Sequence, residues 1–171
     1  MGYVHDTAMS QFIPPTACCY SAGTWTWTVG TNVWTNVRTA NDSSFTVYVP
    51  IALPSNSVAF KGSKLLSLEF MYVISGAAAD DFAVATALLY LDTFAVTGTI
   101  NTAATIASTK DTGHDTDAEC LAQDEHRMVL TVDDPLWIDN DQGYHAEFVV
   151  DGGAATVFAN HGAIANFVLR I

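Results

Sequence analysis

The sequence predicts an all-β protein: an antiparallel two-sheet sandwich, jelly-roll-like, with one short helix and an irregular N-terminal arm. Two stretches between Phe45 and Ile74 carry most of that expectation. One alternates Phe45, Val47, Val49, Ile51 and Leu53 with polar or small residues, and the other does so with Leu66, Leu68, Phe70, Tyr72 and Ile74. Side chains of an extended chain alternate faces at period 2, so each run is a strand that buries one side. Pro54, Asn56 and Gly62 supply turn chemistry between them. Composition agrees: half of the residues are apolar and only 14% are charged. Val, Ala, Thr and aromatics dominate, which suits pleated, half-buried surfaces.

At 171 residues the chain fits a single core. Residues 1–23 read as an arm and 24–171 as one sandwich domain. The arm shows no sustained periodicity, and Pro14-Pro15 excludes a continuous helix or central strand. Such an arm gains order by lying on its own sandwich or on a neighbouring subunit. Next, TWTWTV sets Trp25, Trp27 and Val29 on one face and Thr24, Thr26 and Thr28 on the other. Gly30-Thr-Asn32 then turns into VWTNV, giving a hairpin over 24–37.

After Ile74 comes the small-residue loop SGAAADD. Residues Phe82 to Leu91 admit two readings. A strand would align Phe82, Val84, Thr86, Leu88 and Tyr90, whereas a helix would align Phe82, Ala85, Thr86 and Leu89 behind a cap at Asp80 or Asp81. Alternation across the whole run favours the strand. The Thr- and Ala-rich segment holding Val96, Ile100 and Ile106 fits one or two modest strands. Within the polar stretch that follows, Thr116-Asp-Ala-Glu119 matches a capping box and predicts the single helix over about 117–124. Strand alternation resumes with Met128, Leu130 and Val132, then Tyr144, Ala146, Phe148 and Val150. It closes with Ala163, Ala165, Phe167, Leu169 and Ile171, a pattern expected at the centre of a sheet.

Charge narrows the partners. Six basic against eighteen acidic residues give a net charge of −12, with no Lys/Arg cluster to neutralise phosphates, so nucleic acid is not expected. An anionic membrane surface would repel the chain, and no apolar run is long enough to span a bilayer. MGYVHDTAMSQF lacks the features of a secretory signal, and Asp6 stands where a myristoylation pattern needs Ser or Thr. Cys18, Cys19 and Cys120 do not make a disulfide framework, which points to assembly in a reducing compartment. Proteins, glycans or cations remain as partners.

Catalytic and metal motifs are sparse. His5, His114, His126, His145 and His161 show neither HxH nor HExxH spacing. His145 has Glu147 nearby but no second histidine, so the paired-histidine motif of metal-binding cupins is missing. Asp115 and Asp117 in one loop, and Asp139 and Asp141 in another, are weak calcium candidates; solvated loop carboxylates are the default. No cofactor is expected. Glu69, flanked by Leu68 and Phe70, is a candidate glycosidase acid, against the commoner reading of an outward strand glutamate. There is no G-x-S-x-G elbow, and Lys61-Gly62-Ser63-Lys64 is not a phosphate loop. The expectation is a protein without enzymatic activity. Trp25, Trp27 and Trp34, beside Pro14 and Pro15, could form a platform for sugar rings or fill an intersubunit seam, and the seam is preferred.

The run VPIALPSNSVAFKGSKLLSLEFMYVI, the small-residue loop, DTGHDTDAE, DDPLWI and the alternating C-terminal strand together resemble small β-sandwich proteins of bacteriophage virions. These are capsid decoration proteins and fibre or tail accessory modules. The resemblance implies a homo-oligomeric virion structural protein, a trimer that contacts itself and another virion structural protein. It also implies synthesis in the host cytoplasm, and it carries over no catalytic residues. The strong acidity suits an outer surface of such a particle. The alternative is a glycan-binding β-sandwich module using Trp25 and Trp27.

Overall fold

A computed structural model describes residues 5–30, 33–54, 62–93 and 102–170. They form two antiparallel sheets packed face to face. In chain order the strands are β1 (Asp6–Ile13), β2 (Cys19–Tyr20), β3 (Trp25–Gly30), β4 (Val33–Arg38), β5 (Ser43–Ile51), β6 (Ser63–Ser75), β7 (Ala87–Thr93), β8 (Thr102–Ile106), β9 (Ser108–Lys110), β10 (Glu125–Val132), β11 (Gln142–Gly152) and β12 (Val157–Arg170), with helix α1 (Asp117–Leu121) before β10. A seven-stranded sheet runs β3-β4-β12-β6-β10-β9, with β1 added alongside β12. The five-stranded sheet runs β2-β5-β11-β7-β8. The long alternating runs take the central places, because only a strand flanked on both sides and packed on one face can bury every second residue.

The core is the inward half of those alternations. Phe45, Val47, Val49 and Ile51 of β5 and Tyr144, Ala146, Phe148 and Val150 of β11 face Phe70, Tyr72 and Ile74 of β6 and Phe158, Ala163 and Ala165 of β12. Phe70 stacks on Phe148 across the sheets, with ring centroids 3.9 Å apart. Phe158 meets Phe45 edge-on at 5.2 Å and Tyr72 face-on at 5.4 Å. Each such buried side chain stabilises the fold by about 1.5–3 kcal/mol.

Two details depart from strict alternation. In β6 the buried residue is Leu65 and not Leu66, because the ladder with β12 shifts register between Asn166 and Phe167. A bulge of this kind inserts one residue and reverses the facing beyond it. The second departure lies in 82–91. Phe82 is buried, a one-turn 3₁₀ helix takes Val84–Thr86, and the strand starts only at Ala87. Its inward residues are Ala87, Leu89 and Leu91, so Leu88 and Tyr90 point away from the core.

The N-terminal arm lies on its own sandwich. Asp6 to Ile13 pair with Arg170 to Ala163 of β12, and Arg170 clamps Asp6 through two hydrogen bonds of 2.8 and 3.0 Å. Pairing begins where β12 bulges at His161 and Gly162 takes φ +96°; a Cβ there would press on the backbone at Ile13. Helix α1 starts at its capping box, with the Thr116 N–H donating to the Glu119 carboxylate at 3.1 Å.

Candidate functional site

The outer face of the five-stranded sheet collects its polar and aromatic side chains at the centre. In the ladder His145 stands opposite Pro50 on β5 and Tyr90 on β7, while Glu147 stands opposite Tyr48 and Leu88. All of them point away from the core, because their strand neighbours Ala146, Phe148 and Leu89 are buried. The Tyr90 and His145 rings lie parallel, 4.8 Å apart with 7° between planes. His145 Nδ1 lies 2.5 Å from Asp92 Oδ2, and a carboxylate only accepts, so this nitrogen carries the proton. The other ring nitrogen, Nε2, sits 3.4 Å from Glu147 Oε1. Burial raises the Tyr90 phenol above its ordinary value, and the nearby Glu147 charge raises it further. Pro50, Val149 and Thr105 around this cluster are exposed.

Chemically the cluster is a rigid set of ring surface, hydroxyl, imidazole and carboxylate. Asp92 is buried and committed to positioning His145, whereas His145 and Glu147 keep 22% and 28% of their side chains exposed. The arrangement offers donors and acceptors beside aromatic surface, the combination that recognises polyhydroxylated rings. Nothing in the spacing of His145 and Glu147 alone revealed it, since the remaining members come from β5 and β7.

The tryptophans expected to act together part company. Trp25 stacks on Tyr20 at 3.8 Å, meets Phe45 and Phe158 edge-on, and donates its Nε1–H to the Ala22 carbonyl, so it belongs to the core. Trp27 and Trp34 remain 43% and 47% exposed. Pro15 is buried under the arm and Pro14 half-buried. Glu69 points outward, as an ordinary strand glutamate does, and is engaged: Arg127 donates to it at 2.7 Å and Asn166 at 2.8 Å.

The calcium candidates do not converge. Asp117 accepts the Val84 N–H, Asp115 lies against Glu119, which raises its carboxyl, and the backbone of Asp139 closes its turn, its carbonyl accepting the Gln142 N–H and its N–H donating to Gln142 Oε1. Among the described residues no three His, Cys, Asp or Glu side chains are placed to hold an ion together. Instead, Asp111, His114 and His126 form a hydrogen-bonded chain beneath α1. His126 Nε2 donates to Ala122 O at 2.9 Å, and its Nδ1 lies 3.2 Å from His114 Nε2. His114 Nδ1 reaches Asp111 at 3.0 Å, and Tyr72 stacks on His126 at 4.5 Å while donating to Cys120 O. This chain fastens the helical loop to β6 and β10. A shallow groove of about 380 Å³ on the outer face of the seven-stranded sheet is lined by Met71, Val73, Glu125, Arg127 and His161.

No protein-family model matches the chain, and no curated protein sequence matches it. Solved structures do. TmCBM61, solved with β-1,4-galactotriose, is 10% identical with a TM-score of 0.34, over 96% of this chain and 86% of that one. The family 11 carbohydrate-binding module from Clostridium thermocellum, solved with a β-1,3-1,4-mixed-linked tetrasaccharide, is 10% identical with a TM-score of 0.37, over 96% and 89%. Both are carbohydrate-binding modules and neither is a capsid decoration or fibre component, against the expectation of a virion structural protein, which is set aside.

Proposed function

We propose that this chain is a glycan-binding β-sandwich module whose ligand lies across the outer face of the five-stranded sheet, over Tyr48, Tyr90, His145 and Glu147. The observation that carries the reading is the Tyr90–His145 stack, fixed from below by Asp92 and flanked by Glu147, on a face ringed by exposed residues. A sugar presents an apolar C–H face and a rim of hydroxyls that both donate and accept. The aromatic rings meet the former, and the carboxylate and phenols meet the latter. Tyrosine suits this task because it supplies rigid, amphipathic contact area at low conformational cost.

Isothermal titration calorimetry against soluble β-glucans and β-galactans tests the proposal. At least one class should bind, and Tyr90→Ala or Glu147→Gln should weaken that binding by about tenfold or more, roughly 1.4 kcal/mol. Circular dichroism of the variants should match the parent. No binding across the panel, or binding indifferent to both substitutions, would remove the proposal.

A further inference from the structure

We propose that β3 is a self-association edge, through which two copies of this chain pair antiparallel and join their seven-stranded sheets into one. β3 is the last strand of its sheet, and among the described residues nothing pairs with its far side. Its outward backbone N–H and C=O groups are therefore a template for another strand. Proteins blunt such edges with charges, proline, bulges or brevity. Of the other edges, β2 has two residues, β9 has three and ends in Lys110, and β1 carries Asp6; β8, with five uncharged residues, shares the lack of such devices but holds none of the large apolar side chains exposed among the described residues. β3, WTWTVG, has six residues and none of these devices.

Charge identifies the occupant. Every residue from Thr7 to Val37 is uncharged, in a chain whose net charge is −12. Two copies that met through an acidic face would confront their carboxylates, whereas the β3 edge lets them meet without that repulsion. Trp27 and Val29 on β3, Trp34 on β4, and Met9 and Phe12 on β1, which flanks β12 on the same side as β4, are five of the seven large apolar side chains exposed among the described residues. Phe12 and Trp34 are already in contact, with ring centroids 6.4 Å apart. The strand is also self-complementary. Antiparallel pairing about a two-fold axis lays the Trp/Val face against the same face and the Thr face against Thr, and such cross-strand pairs are favourable.

Sedimentation velocity from about 1 to 100 μM reads the outcome, a species of twice 18.3 kDa that grows with concentration. Val29 is 76% exposed, so Val29→Lys leaves the fold undisturbed while placing one lysine from each copy at the shared edge. It should weaken association at least about tenfold. A mixture of Val29→Lys and Val29→Glu copies should associate again. Glycan binding on the five-stranded sheet should be unchanged in all of these, which separates failure of this proposal from failure of the functional one. A monomer throughout the range, or a dimer insensitive to Val29→Lys, would overturn it. So would a glycan that binds the Val29→Lys monomer and is lost on Trp27→Ala, because the edge would then serve the ligand.

Discussion

Arg38 is fully buried at the end of β4, and its replacement separates two contributions that are usually entangled. Its guanidinium donates to Asn41 O at 3.1 Å, to Ser43 O at 3.0 Å and to Ser43 Oγ at 2.7 Å, and it lies 4.4 Å over the Phe45 ring. Nε has no hydrogen-bond partner. Removing a charge from water costs several kcal/mol, so the hydrogen bonds and the ring contact roughly offset desolvation. What remains is the three-methylene stem, worth about 0.8 kcal/mol per buried methylene, or about 2 kcal/mol. Arg38→Met keeps the stem and should stay within about 1 kcal/mol of the parent, whereas Arg38→Ala should cost about 2 kcal/mol or more. Urea unfolding followed by far-UV circular dichroism measures both, with equal slopes confirming a common denatured state. A Cβ at Gly152 would come within 2.7 Å of Arg38 Nη1, so Gly152→Ala should cost about 1–3 kcal/mol alone and less in the Arg38→Met background. Equal losses for Met and Ala at position 38 would refute the reasoning and assign the stability to the hydrogen bonds.

Other expectations follow from single features. Burial holds the His126 imidazole below its ordinary 6.5, so the unfolded chain takes up its proton first; stability should be full above pH 6.5 and fall as pH drops through the folded value. For Asp111, burial pushes the carboxyl up, but hydrogen bonds from Val129 N–H and His114 hold it below 3.8 on balance, so a further loss should appear below that pH. Thermal melts between pH 8 and 3 check both, and His126→Gln should flatten the upper limb; an upper limb unchanged in that variant would sink the assignment. Leu65→Ala should cost about 2–5 kcal/mol and Leu66→Ala about 1 kcal/mol or less, and the reverse order in urea unfolding would refute the bulge. Cys18 and Cys120 are buried and desolvation raises each thiol to about 11, whereas Cys19 is exposed. Native protein should therefore release one equivalent of thiolate in Ellman titration and three after unfolding; three in the native state would contradict this packing.

The sandwich was legible because its central strands bury one face and leave the other in water, so period 2 survives in the sequence. β5 and β11 follow that pattern through their described residues, and β12 does so on either side of its bulge at His161. Where a bulge or a 3₁₀ turn adds a residue, periodicity points to the wrong face, as at Leu66 and at Leu88 and Tyr90. The capping box at Thr116 was readable because its chemistry is local. The order within β1 was not, since seven of its eight residues are exposed and no alternation marks a strand held mainly by backbone pairing.

The candidate site escaped the sequence for a different reason. Its members are the outward, polar half of the same alternations, which by themselves read as ordinary solvated positions. Only the ladder registers, β11 on β5 and β11 on β7, bring Tyr48, Tyr90 and His145 side by side. The histidine was sought beside a second histidine, whereas its actual partner, Asp92, lies 53 residues away. The tryptophans show the complementary failure. Trp25 and Trp27 share a strand face, yet Trp25 sits in the aromatic core while Trp27 is 43% exposed. Periodicity assigns a side chain to a face, but it does not say how far the opposing sheet extends over that face. Near β2, a strand of two residues, the five-stranded sheet ends while β3 and β4 continue. Two residues along β3 therefore carry an indole from core to solvent, and the overhang leaves apolar area, free backbone and absence of charge on one edge.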